Sequence, residues 1–465
     1  MRRFNLLLAL IVTALALHAD DIKYVFLMIG DGMGVNQVFA TERYLGSLTS
    51  DHGREALTMT QFPNVGLSHT YSKNSGITDS AAGGTALSSF EKTCNGVISM
   101  DSARVKPLTT IAELAKRQGK AVGIITSVSI DHATPAVFYA HVPDRGMYYE
   151  IGKQLSESDF DFFGGAWFLK PKGKHGDQTD LLEIVQDKGY TVLKGYEQYQ
   201  AEGKKHDKVI LTQEDMTANA LPYAIDREDG DLTLPQITEA AIDFLEKKGK
   251  NKGFFLMVEG GEIDWACHGN DGATALNEVK DFDNAIKVAY EFYKRHPKET
   301  LIVVTADHET GGLALGNSDY NTRFHRIDGQ RCSQSKLTQI ILDALNDKNE
   351  EFTFEKMKSI LKDNLGLFDV VPVSEPQLER LAQAYVKTIS GKKTDVKSEY
   401  FTDELIAVTA IRILNESSRL GWTTGAHSSA AVPVLSIGNG SEALRGVMQN
   451  NEIPQRMAKI AKYKR

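Results

Sequence analysis

At 465 residues, with 42% hydrophobic and 25% charged side chains, the chain has the composition of a folded globular protein, which excludes a fibrous, collagen-like or largely disordered one. The formal charge is −8 and no basic block is set against the acids, so the chain lacks the footprint of a nucleic-acid binder. An anionic ligand would have to be held by a local positive site.

In chain order, Arg2 and Arg3 come first, followed by an apolar run over residues 6–17 and the small residues Ala14, Ala16 and Ala19. That is the pattern of a secretory signal peptide over residues 1–19, cleaved after Ala16 or Ala19, and it implies a periplasmic or secreted protein. Its loss removes two arginines and no acid, taking the charge to −10. This run of 12 residues falls short of the roughly 20 that span a bilayer, and no later segment is long or apolar enough, so the mature chain is expected to lack a transmembrane segment. Cys94, Cys267 and Cys332 permit at most one disulfide.

Residues 24–29 form the first strand candidate. A repeated grammar follows: an amphipathic helix, a Gly or Lys break, then a short apolar strand. Residues 108–118, with Leu108, Ile111 and Leu114 at helical spacing, lead into a strand at 121–125; residues 237–248 lead into 254–258, and 279–293 into 301–305. Another strand is expected at 432–437. These alternating units predict an α/β three-layer sandwich with a central, mostly parallel sheet and helices on both faces. Residues 152–231, rich in Gly, Lys, Asp and Gln, read as a surface insertion with its own short elements. Residues 333–414 read as a helical insertion, from helical spacing at Leu337, Ile340, Ile341, Leu345 and again around Met357 and Leu381. The catalytic domain then covers residues 20–465.

The acids and histidines fall at expected strand ends, where ligands of such sheets bind. The first strand runs into Gly30-Asp31-Gly32-Met33-Gly34. The strand at 254–258 runs into Glu259, with Asp264 and His268 four apart on the following turn, one face of a helix. The strand at 301–305 runs through Ala306 into Asp307-His308. His427 lies in a Gly and Thr loop before the last strand. Any one of these has a structural explanation, but together they predict a multi-metal site: mixed carboxylate and imidazole suits zinc, and carboxylate with hydroxyl suits magnesium. Ser80, in Thr78-Asp79-Ser80-Ala81-Ala82, opens a run of small residues where a helix would place a hydroxyl at its positive end. It lacks the Gly-x-Ser-x-Gly elbow, so it would need a metal rather than a histidine base. Arg145, downstream of His132-Ala133-Thr134-Pro135-Ala136, has the geometry to fork onto a phosphate.

In family order and over most of the mature chain, these motifs resemble alkaline phosphatase. The resemblance implies hydrolysis of phosphate monoesters through a phosphoserine on Ser80, at a site of two zinc ions and one magnesium, in a homodimer. It implies that Asp264, His268 and His427 hold the first zinc and that Asp31, Asp307 and His308 hold the second. Thr134 and Glu259, with Asp31 shared, would hold magnesium. Arg145 would bind two phosphate oxygens, with Asp79 orienting it. His132 and Trp265 stand where the best-known bacterial pattern has Asp and Lys, beside the magnesium and phosphate sites.

Three other readings compete. A sulfatase of the same superfamily would need a Cys-x-Pro-x-Arg setting, which Cys94-Asn95-Gly96-Val97 is not. A phosphodiesterase usually lacks the third metal site that Thr134 and Glu259 would supply. A non-catalytic phosphate-binding scaffold would have lost one of these positions, and none is missing.

Overall fold

The computed structural model describes residues 21–50, 53–318, 320–391 and 395–464; the expected signal peptide lies outside them. The ten strands of the central sheet are, in chain order, β1 (Tyr24–Gly30), β2 (Asn64–His69), β3 (Ala121–Ser129), β4 (Phe162–Ala166), β5 (Thr191–Lys194), β6 (Val209–Thr212), β7 (Phe254–Gly260), β8 (Thr300–Thr305), β9 (Val432–Gly438) and β10 (Gly446–Gln449). They lie side by side as β10-β2-β9-β8-β1-β7-β3-β4-β6-β5. Every pairing is parallel except those of β9, which runs against β2 and β8.

The middle strands are apolar throughout because both of their faces are covered. In β1, Phe26 and Met28 join a core with Leu256 and Val258 on one face, while Val25, Leu27 and Ile29 join a second core with Met257 and Val303 on the other. Helices Leu234–Gly249 and Gly272–Arg295 close the first face through Ile237, Leu245, Phe282 and Ile286. Helices Ile111–Arg117 and Glu452–Ile460 close the second through Ile111, Leu114, Ile453 and Met457. Helix starts follow local chemistry: Thr110 with Glu113, and Thr233 with Gln236, form reciprocal capping boxes.

Residues 152–231 depart from the sequence reading. Rather than standing apart on the surface, they supply β4, β5 and β6, which extend the main sheet from β3 to its edge. Each is only four or five residues long and takes its register from the neighbouring strand. Between Ser333 and Leu414 lie the helices Gln334–Asn346, Phe354–Leu365 and Glu375–Ile389 and most of Leu405–Ser418, packed around a separate core that includes Leu337, Met357, Leu361, Leu381 and Ile411. Within this region Val396–Lys397 and Thr402–Asp403 pair as a short hairpin. Its base is tied to the insert by the carboxylate of Asp403, which accepts from Gln334, Ser335 and Thr338. All three cysteines are free thiols. No described helix is long and apolar enough to cross a membrane.

Candidate metal centre and active site

The adjacent strands β8, β1, β7 and β3 end on one edge of the sheet, and the chain leaves each of them through a polar residue. Asp31 follows β1, Glu259 is the penultimate residue of β7, Asp307 and His308 follow β8, and His132 and Thr134 follow β3. Because β9 is reversed, the segment that enters it begins at this same edge, and that brings His427 to the others. The bridge is short: His427 pairs with Thr310 and Ser428 with Glu309. Two glycines permit the close approach. Gly32 has a φ of +71°, and a Cβ there would lie 2.9 Å from the Cα of Asp264; a Cβ on Gly83 would lie 2.9 Å from the carbonyl oxygen of Asp307.

The first group is Asp264, His268 and His427. Asp264 and His268 sit four apart on the helix Glu262–His268, with Oδ2 3.3 Å from Nε2. His427 Nε2 is 3.1 Å from His268 Nε2 and 3.6 Å from Asp264 Oδ1. The ring protons can be placed from their partners. His268 Nδ1 donates to the carbonyl of Gly425 at 2.7 Å and His427 Nδ1 to that of Thr78 at 2.8 Å, because a carbonyl only accepts. Both Nε2 atoms are thus turned toward each other beside a carboxylate, and Asp264 outweighs burial to raise His268 to about 9, so without another cation this pair shares a proton that a metal ion would displace. The second group is Asp31, Asp307 and His308, with His308 Nε2 3.3 Å from both Asp31 Oδ1 and Asp307 Oδ2. Thr310 gives its single hydroxyl proton to Asp264 Oδ1 at 2.5 Å, so it accepts from His308 Nδ1 at 3.2 Å and leaves the His308 Nε2 bare. Asp31, His132 and Glu259 make a further convergent set, and Thr134 Oγ1 reaches Asp31 Oδ2 at 3.3 Å.

These side chains lack a cation of their own. Asp31, Glu259, Asp264, Asp307 and His308 are fully buried, and Asp31 Oδ1, Glu259 Oε1, Asp264 Oδ2 and Asp307 Oδ2 have no hydrogen-bond partner. Burial, and then the neighbouring carboxylates, push Asp31 and Asp307 well above the usual range; burial first of all lifts Glu259 to about 7. Burial would raise Asp264 too, but the imidazoles of His268 and His427 outweigh it and hold Asp264 below the usual range. Such a cluster keeps protons until positive charge arrives, and its donors, three imidazoles with carboxylates, fit divalent metals.

Ser80 is the first residue of the helix Ser80–Ser89, whose N-cap is Asp79, accepting from the backbone N–H of Ala82 at 2.9 Å. Every residue of this helix is buried, and its small side chains let it sit against the loop that carries Asp307. Ser80 Oγ lies 3.3 Å from His308 Nε2, beside the second group. Asp79 Oδ2 also accepts from Arg145 Nη1 at 3.3 Å and from the backbone N–H of Gly96 at 2.9 Å. Arg145 Nη2 lies 3.4 Å from His132 Nε2. Burial, and then Arg145, lower His132 to about 3, so its ring is neutral. Trp265 is buried beside it, the ring centroids 5.9 Å apart.

All the residues singled out in the sequence thus meet at one edge. Three others were not read there. Thr310 orients two groups at once. Glu399 and Tyr400, from the turn of the hairpin in residues 333–414, reach the site: Glu399 Oε2 lies 3.5 Å from His268 Nε2, and the Tyr400 ring stacks on Trp265 at 4.7 Å. Neither carries a local motif, because the hairpin that delivers them is defined by its anchoring rather than by its sequence.

A buried serine at a helix start, an arginine and a carboxylate-imidazole cluster on a mostly parallel sheet are the parts that a metal-dependent hydrolase of phosphate esters would need. The family model described as Alkaline phosphatase matches residues 22–463. Alkaline phosphatase 4 of Bacillus subtilis is 32% identical over 95% of this chain and 89% of its own. The cold-active alkaline phosphatase from a psychrophilic Shewanella is 30% identical with a TM-score of 0.79, covering 94% of this chain and 99% of that one. A histidine-to-aspartate mutant of TAB5 alkaline phosphatase, solved with Mg bound in its M3 site, is 27% identical with a TM-score of 0.65 over 96% and 99% of the two chains. The chain belongs to the alkaline phosphatase family and is a phosphomonoesterase.

Proposed function

We propose that the chain hydrolyses phosphate monoesters through a phosphoserine on Ser80, at a site holding two zinc ions and one magnesium. Asp264, His268 and His427 would hold one zinc, Asp31, Asp307 and His308 the other, and Asp31, Thr134 and Glu259 the magnesium, with His132 beside it. The observation that carries this reading is the convergence of three imidazole Nε2 atoms and four unpartnered buried carboxylate oxygens beside Ser80.

The chain's own groups divide the work. Asp79 fixes the start of the Ser80 helix with one carboxylate oxygen and holds Arg145 with the other, so nucleophile and phosphate ligand share one positioning residue. Arg145 forks onto two non-bridging oxygens of the phosphoryl group. Ser80 Oγ forms a bond to phosphorus as the ester oxygen leaves as the alcohol; water then displaces Ser80 and gives inorganic phosphate. When bound, the metals lower the proton affinity of the attacking oxygens and neutralise charge on the leaving ones.

The experiment pairs a chromogenic monoester with its diester and sulfate analogues and adds a mutant. The monoester should be cleaved fastest, and Ser80→Ala should lose several orders of magnitude in kcat. Radiophosphate trapped at acid pH should map to the peptide carrying Ser80. Label on another peptide, or an unchanged rate in the mutant, removes Ser80 from the role; preference for the sulfate or diester moves the substrate class.

A further inference from the structure

We infer that Tyr400 is a phosphoryl-binding residue, its phenol donating a hydrogen bond to an oxygen of the bound phosphate. The inference rests on the phosphate-site reading above and adds a ligand from the helical insert. Tyr400 projects from the turn of the hairpin Val396–Lys397 and Thr402–Asp403. The turn is closed by Ser398, whose backbone N–H donates to the carbonyl of Phe401 at 3.0 Å and whose hydroxyl accepts from the N–H of Phe401 at 3.1 Å. Phe401 anchors it from below, packing on Trp265 at 5.6 Å and Tyr223 at 6.3 Å. A turn tied at its base, its closure and its flank holds the residue at its tip in a defined place.

That place is among the site residues. The Tyr400 ring stacks on Trp265 at 4.7 Å and 21°, and meets the rings of His268 at 5.4 Å and His132 at 5.8 Å. With His132, Trp265 and Tyr148 it lines a cavity of about 660 Å³, which gives small molecules access to this wall. Its hydroxyl is buried and has no hydrogen-bond partner. Tyr400 and Arg145 flank the same imidazole, the Tyr400 ring 5.8 Å from that of His132 and Arg145 Nη2 3.4 Å from its Nε2. A buried hydroxyl without a partner costs stability unless a ligand satisfies it. Beside an arginine that binds phosphate, the ligand that satisfies a phenol is an anionic oxygen, through a charge-assisted hydrogen bond. The ring accounts for the packing; only the hydroxyl is left for substrate.

The test is binding of inorganic phosphate to the metal-loaded full chain, followed by calorimetry, beside KM and kcat for a chromogenic monoester. Tyr400→Phe keeps the ring and removes only the oxygen. It should weaken phosphate by about tenfold or more and raise KM in step. Tyr400→Ala should weaken it further through loss of the stack on Trp265. Arg145→Ala reports on the site itself. If Arg145→Ala weakens phosphate while Tyr400→Phe binds it as the unmodified protein does, the proposal is overturned and Tyr400 is only a packing wall. If neither variant changes phosphate affinity, the phosphate-site reading fails and the proposal with it.

Discussion

The short helix Glu262–His268 contributes to two clusters of buried acids that are built differently. Asp264 belongs to the candidate metal centre, where four carboxylates end in unpartnered oxygens. Glu262 belongs with Glu278 and Asp281, both on the helix Gly272–Arg295, and there the chain provides its own cation. Arg227 grips Asp281 through two contacts of 2.6 Å, and the backbone N–H of Ala224 donates to Glu278 at 2.6 Å. The protons that remain are local: burial, then Asp281, lifts Glu278 to about 8, and burial with Glu278 pushes Glu262 up as well. Where acids join the segment carrying β4 to β6 onto the sheet, the sequence encodes the counterion. At the candidate metal centre the guanidinium of Arg145 is held by Asp79, and the carboxylate oxygens turned inward are left without a hydrogen-bond partner.

The sharpest way to break this comparison is to remove the metals. Exhaustive chelation should abolish turnover and lower the thermal midpoint, since an ion at about a thousand times its Kd stabilises by roughly 4 kcal/mol per site. Zinc with magnesium should restore both. Full turnover in excess chelator would mean that the lone pairs are satisfied in another way. On the other side, Arg227→Ala leaves a buried carboxylate unpaired and should cost about 3–5 kcal/mol in urea unfolding, equally in metal-loaded and stripped protein. A loss seen only in the stripped form would show that the two clusters share their charge.

A finer test changes the metal centre's own inventory. His132 is neutral and its Nδ1 has no partner, so His132→Asp adds a negative charge next to Asp31 and Glu259. Magnesium should bind about ten- to a hundredfold more tightly while zinc content stays constant. Superimposable magnesium titrations would make His132 a packed loop histidine. The smallest effect lies away from both clusters, in the His141 to Glu113 pair at 3.3 Å. Burial lowers the His141 pKa, but Glu113 and the carbonyl of Ser99 outweigh it and raise the value above 6.5. The pair's stability is therefore fully present below the unfolded value and fades as pH rises through the folded one. Glu113→Gln, which retains the capping geometry, should cost up to about 1 kcal/mol at pH 6 and less at pH 9. Equal losses at both pH values would show that the ion pair is not the cause.

Much of this was legible before any coordinates. Long apolar strands such as β1, β7 and β8 announce themselves because both faces are buried, and an acid closing each of them is visible once the strand is. The segment 152–231 was misplaced because Phe162–Ala166, Thr191–Lys194 and Val209–Thr212 are too short to show a pattern and exist as strands only through their neighbours. The carbonyls of Thr78 and Gly425 that set the imidazole tautomers carry no sequence signal at all, since any residue has a carbonyl. Tyr400 and Glu399 were hidden for a third reason: the insert looked self-contained, with its own core, and nothing local says that its hairpin turns back to the site.

The reversed strand β9 also sets a clock. The polar residues after β1, β7 and β8 all lie within the first 308 residues, but His427 takes its position only when β9 inserts between β2 and β8, more than a hundred residues later. Closing so long a loop is slow relative to local helix formation. During synthesis the cluster therefore stays incomplete until residue 427 and the strand after it have emerged and paired.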